Sequence, residues 1–78
     1  MKNKVRTLRE KMNLTQAELG KLAGVSRQAI NAIETGKFDP SIRLAYSLSK
    51  IFSKKIEEVF DFEDDWVMIC KSKPNTLN

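Results

Sequence analysis

Arg27, Gln28, Asn31 and Thr35 are the residues of this chain best equipped for recognition chemistry. An amide such as Gln28 offers a donor and an acceptor side by side, matching the exposed edge of adenine, and a guanidinium such as Arg27 can donate twice to guanine. Each such pair discriminates against a wrong base by ~1–3 kcal/mol. Arg27 can equally serve a phosphate, a contact that carries no sequence information. Spacing gives these residues a common face. With Ile30 at zero on a helical wheel and ~100° per residue, Ile33 and Ala29 fall on its side and Gln28, Thr35, Asn31 and Ala32 opposite, with Arg27 at the flank. A short polar face, uncharged apart from one arginine, suits base edges better than plain solvation, which usually employs Lys and Glu.

That face requires residues 26 to 35 to be helical, and the local sequence supplies the boundaries. Ser26 is a good N-cap and Gly36 a good C-terminal stop. Thr15 and Glu18 have the spacing of a capping box, which opens a preceding helix that runs to about Ala23. Gly24 suits a left-handed turn, and Val25 plugs the angle between the two helices, so residues 15 to 36 outline a helix-turn-helix. Leu19, Leu22 and Ala23 are expected to face inward. Gly20 marks either a close helix approach or a simple weakening of its own helix. Upstream, Val5, Leu8 and Met12 recur at i, i+3 and i+7, predicting a first helix over about 3–12. Downstream, Lys37-Phe38-Asp39-Pro40 reads as a turn. Ser41 then caps a fourth helix with Leu44, Ala45, Leu48, Ile51 and Phe52 inward, and a short fifth helix is expected from about Ile56 to Phe60. The expected fold class is all-α.

At 78 residues the chain makes one domain with a marginal core. Residues 1 to 60 carry twelve Lys/Arg against six Asp/Glu, whereas residues 61 to 78 carry two against four. A basic body favours polyanions through phosphate contacts and counterion release. With one cysteine, Cys70, and no histidine, an internal disulfide is impossible and the usual soft-ligand metal sites have no ligands. The same lack, together with the absence of a glycine-rich phosphate loop, argues against an enzyme. No cofactor, metal or small-molecule ligand is expected. The first residues lack the apolar core of a secretory signal and no apolar run approaches the ~20 residues needed to cross a bilayer, so a cytoplasmic protein without membrane contact is expected.

The strings Leu14-Thr15-Gln16-Ala17-Glu18-Leu19, Val25-Ser26-Arg27-Gln28 and Ile33-Glu34-Thr35-Gly36-Lys37, followed by Pro40-Ser41, resemble the Cro/repressor helix-turn-helix family, also called the xenobiotic-response-element type. The resemblance spans about residues 4 to 60. It implies a compact five-helix, lambda-repressor-like DNA-binding domain over residues 1–62, with a reading helix at about 26–35 that enters the major groove of double-stranded DNA. It also implies a homodimer on a pseudo-palindromic operator. Arg27, Gln28 and Asn31 match base-contacting positions. Gln16 matches a phosphate anchor, and Ser26, Thr35, Lys37 and Arg43 are expected along the DNA backbone. Arg9 and Glu34 match an internal ion pair between helix one and the end of helix three, against the alternative of two separate solvated charges.

Residues 63–78 form a C-terminal tail and a candidate dimerisation segment. Within it, Trp66-Val67-Met68-Ile69-Cys70 is apolar and rich in strand formers. It is expected either to be extended, covering a dimer interface or pairing with the N-terminus, or to pack on its own core. Ile56, Phe60, Phe62 and Trp66 are the expected dimer-interface residues. The function expected is a sequence-specific transcriptional regulator, a repressor acting by occupancy, with activation through a surface contact as the variant. A protein-interaction module, such as an antitoxin-like partner protein, is the alternative class. Such a module has no need of Gln28 and Asn31 on one polar face. Single-stranded RNA readers display exposed aromatics for stacking, and in the body of this chain only Phe38 is expected to be one.

Overall fold

The computed structural model describes residues 2–61, which form five helices: α1 (Val5–Lys11), α2 (Gln16–Ala23), α3 (Arg27–Glu34), α4 (Ile42–Ile51) and α5 (Ile56–Val59). Side chains set most of the helix starts. At α2 the Thr15 hydroxyl accepts from the Glu18 amide at 3.0 Å, and the Glu18 carboxylate accepts from the Thr15 amide at 2.8 Å. That backbone hydrogen bond holds the Glu18 carboxyl below its usual pKa. Ser26 and Ser41 cap α3 and α4, each hydroxyl accepting at 3.1 Å from the amide three residues on, Ala29 and Leu44. These bonds satisfy amides that a helix start would otherwise leave without partners. Gly24 closes α2 with φ at 76°, the left-handed conformation that glycine adopts without steric penalty.

The start of α1 uses a device that its local pattern does not advertise. Asn3 accepts from the Val5 amide at 3.1 Å through Oδ1 and donates through Nδ2 to the Ile33 carbonyl at 2.9 Å. One side chain thus caps α1 and ties it to the end of α3. At the other end of the described chain, Phe60 is extended and forms an antiparallel bridge with Asn3. The Lys4 amide donates to the Val59 carbonyl and the Asp61 amide to the Lys2 carbonyl, both at 2.8 Å. The fifth helix therefore stops one residue earlier than expected, because the N-terminal backbone pairs with the chain there. The Trp66–Cys70 stretch lies outside the described residues.

All five helices contribute to one core: Val5, Leu19, Ile30, Ile33, Ala45, Leu48 and Phe52, with Val59 and Phe60 closing it. The pairing of α2 with α3 is the most extensive and depends on Gly20. A Cβ added there would lie 2.7 Å from the Val25 carbonyl oxygen, a backbone atom already fixed because the Val25 amide donates to the Gly20 carbonyl at 2.8 Å. Close approach is thus the role of this glycine. Gly20→Ala should destabilise the fold by about 1–3 kcal/mol through overpacking. An unchanged urea midpoint would show that the α2–α3 turn has slack.

Leu22, expected to face inward, is 60% exposed, and Met12, the last residue of the apolar stripe of the first helix, is 46% exposed. The buried strip of α2 runs through Leu19, Gly20 and Ala23, and Leu22 sits about 110° from its centre. A helix this short buries only the strip that faces α3 and α4. Met12 falls at the C-cap, beyond the last turn of α1. Phe60 is the opposite case, only 1% exposed. Enclosed by its own chain, it has no area to give a second copy, which corrects its assignment to a dimer interface. Of the other expected interface residues, Ile56 is partly buried against the core, and Phe62 and Trp66 lie outside the described residues.

Candidate nucleic-acid interface

Helix α3 lies with Ile30 and Ile33 fully buried and Arg27, Gln28, Asn31 and Thr35 exposed. The wheel drawn from the sequence is therefore the arrangement in space: successive turns carry Arg27 and Gln28, then Asn31, then Thr35. Lys37 and Arg43, which follow α3 in the chain, are exposed. Ser26 caps the helix as an acceptor, so its own hydroxyl proton is available to an oxygen outside the protein. Thr35 differs. Its hydroxyl donates to the Asn31 and Ala32 carbonyls at 3.0 and 3.2 Å, so its proton is already committed to the end of α3.

The orientation of α3 is held by a buried ion pair. Arg9 Nε donates to Glu34 Oε2 at 2.7 Å and Nη2 to Oε1 at 3.4 Å, and the two side chains are 12% and 3% exposed. The remaining Arg9 Nη1 donates to the Leu14 carbonyl at 2.7 Å, which adds the α1–α2 loop to the same unit. The hydrogen bond to Glu34 raises the Arg9 pKa above its ordinary value. Gln16 joins from α2, its Nε2 donating to Glu34 Oε1 at 3.0 Å and to Asn31 Oδ1 at 3.2 Å. Sequence reasoning gives the Arg9–Glu34 pair, Gln16 and Asn31 three separate roles; the structure joins them into one network.

The outer face of α4 was not foreseen. Ile42 is 76% and Tyr46 57% exposed, so Phe38 is not the only exposed aromatic of the body. The Lys50 ammonium lies 5.7 Å from the centre of the Tyr46 ring, within reach of a cation–π attraction. Among the described residues, no group of three His, Cys, Asp or Glu side chains is placed to hold a metal ion, and no helix is long and apolar enough to cross a membrane.

Two capped helices, locked by a glycine contact and displaying the polar face of the second, define a helix-turn-helix protein. A helix-turn-helix family model, HTH_3, matches residues 5–65, and the chain belongs to this family, the Cro/C1 type. It is similar to an uncharacterized HTH-type transcriptional regulator of Methanocaldococcus jannaschii, 55% identical over 65 residues, covering 83% of this chain and 98% of that one. A second relative, the uncharacterized HTH-type transcriptional regulator YgzD of Bacillus subtilis, is 46% identical over 65 residues, with 83% and 98% covered. Among solved structures, the P22 c2 repressor in complex with a synthetic operator superimposes with a TM-score of 0.72 at 31% identity, covering 74% of this chain and 88% of that one.

Proposed function

We propose that this protein is a sequence-specific DNA-binding transcriptional regulator that lays α3 in the major groove and reads base edges with Arg27, Gln28 and Asn31. The observation that carries this reading is the outward face of α3, where these side chains are exposed above the buried Ile30 and Ile33. Lys37 and Arg43 flank it where phosphates would run, and Ser26 retains a hydroxyl proton for one more phosphate oxygen. Thr35 reaches the backbone only by giving up its bonds to α3. The solved relative was captured on an operator, and the surplus of twelve basic over six acidic residues in positions 1–60 supplies the attraction.

The protein acts as a cytoplasmic homodimer on a pseudo-palindromic site, its two reading helices ~34 Å apart, one turn of duplex. Occupancy of that site blocks transcription. Ile56 and Phe62, with Trp66 of the segment 63–78, supply the contact between copies. Selection of bound duplexes from a random library tests the reading. Gln28→Ala should relax the preference at one base pair per half-site by about 1–3 kcal/mol and leave the other positions intact. If the unaltered protein favours no duplex over random competitor at moderate ionic strength, the proposal fails.

A further inference from the structure

Gln16 opens α2, and its side-chain amide lies between the Glu34 carboxylate and the Asn31 amide. The chemistry of the carboxylate settles which end of each amide faces which neighbour. Glu34, paired with Arg9 at 2.7 Å, is an acceptor only, so the Gln16 atom 3.0 Å from it must be the nitrogen. The same nitrogen faces Asn31 at 3.2 Å, so the Asn31 atom opposite must be the oxygen. The order of donors and acceptors is thus set in the core and passed outward, link by link, to the surface of α3.

We infer that Gln16 is a positioning residue for base preference: anchored on Glu34, it locks the exposed Asn31 amide with its oxygen toward α2 and its nitrogen pointing away. An exposed asparagine without such a tether can rotate by half a turn and exchange its donor and acceptor. The major groove distinguishes base pairs by the order in which donors and acceptors are met, so an amide held one way recognises one order and an amide that rotates recognises both. Held as it is, Asn31 offers a donor on the side away from α2, which suits an acceptor atom of a base there. Gln16 Nε2 faces Glu34 and Asn31 within the protein, so its contribution to base preference runs through Asn31, beyond the phosphate contact that the family resemblance implies.

This inference rests on the reading of α3 as the groove-facing helix, and its test separates the two. Duplex selection with Gln16→Ala should relax the preference about threefold to tenfold, in the lower part of the range for side chains in direct contact, and only at the base pair that Asn31→Ala also affects. In the double variant, Gln16→Ala should add no further relaxation. A weakening uniform over every duplex, with no relaxation at the Asn31 base pair, would make Gln16 a phosphate contact alone and overturn the inference. An unchanged preference would overturn it too. Residual dipolar couplings of the Asn31 side-chain amide, measured on the chain without DNA, provide the independent arm. One fixed orientation is expected in the unaltered protein and averaging in Gln16→Ala, while averaging in both overturns the inference whatever the DNA results are. If no duplex is favoured but the couplings show a fixed amide lost in Gln16→Ala, the lock stands and the DNA reading is what fails.

Discussion

Glu34→Ala should destabilise the fold by about 3–5 kcal/mol, the range for removing one partner of a buried ion pair. The magnitude comes from what is left behind. Arg9 would keep its bond to the Leu14 carbonyl but lose both bonds to the carboxylate, in a site where its side chain is 12% exposed. A buried charge without its counter-ion costs far more than the intact pair contributes, because desolvation of the two charges opposes their attraction. Domains of this size have total stabilities at or below the ~5–15 kcal/mol typical of globular proteins, so the variant should be largely unfolded at room temperature, and its urea midpoint should fall by roughly 2–3 M. Replacing both partners by apolar residues, Arg9→Met with Glu34→Leu, should recover a good part of the loss. A midpoint unchanged in Glu34→Ala would mean that the pair contributes nothing to holding α1 against α3.

Phe60→Ala should destabilise the fold by a similar amount, about 3–5 kcal/mol, as large-to-small changes at fully buried aromatic positions do. Phe60 is 1% exposed, belongs to the same core as Val5 and Val59, and is bridged to Asn3. The cavity opened there would also loosen the Asn3–Phe60 bridge and, through Asn3, its bond to the Ile33 carbonyl at the end of α3. The measurement that separates this role from one in dimerisation is the dependence on protein concentration. A core role lowers the midpoint equally at low and high concentration. A partner-facing role would leave the unfolding of the monomer as it was and weaken association, visible by sedimentation.

These two side chains show where sequence reasoning is strong and where it stops. Glu34 and Arg9 are 25 positions apart, and their pairing entered only through the family resemblance, since no local rule connects them. Phe60 closes the apolar pattern of Ile56, Val59 and Phe60 just before Asp61, and periodicity cannot say whether such a pattern meets its own core or a second copy. Leu22 failed for a related reason. A helix as short as α2 buries a narrow strip, and which of its apolar residues fall on that strip depends on where α3 and α4 sit. The caps behaved differently: Thr15 with Glu18, Ser26 and Ser41 all sit at the helix starts their positions indicate, because a cap satisfies amides within three residues of itself.

What could be read from the order of residues alone was therefore everything governed by short range: five helices, their boundaries to within a residue or two, the glycine turn between α2 and α3, and the polar face of α3. Long-range geometry decided the rest. Asn3 reaching Ile33, Phe60 bridging to Asn3, and Gln16 joining Glu34 to Asn31 bring together groups that lie 15 to 57 positions apart. A hydrogen bond or a buried contact depends on distances of a few ångströms in space, and those distances exist only once the helices have packed.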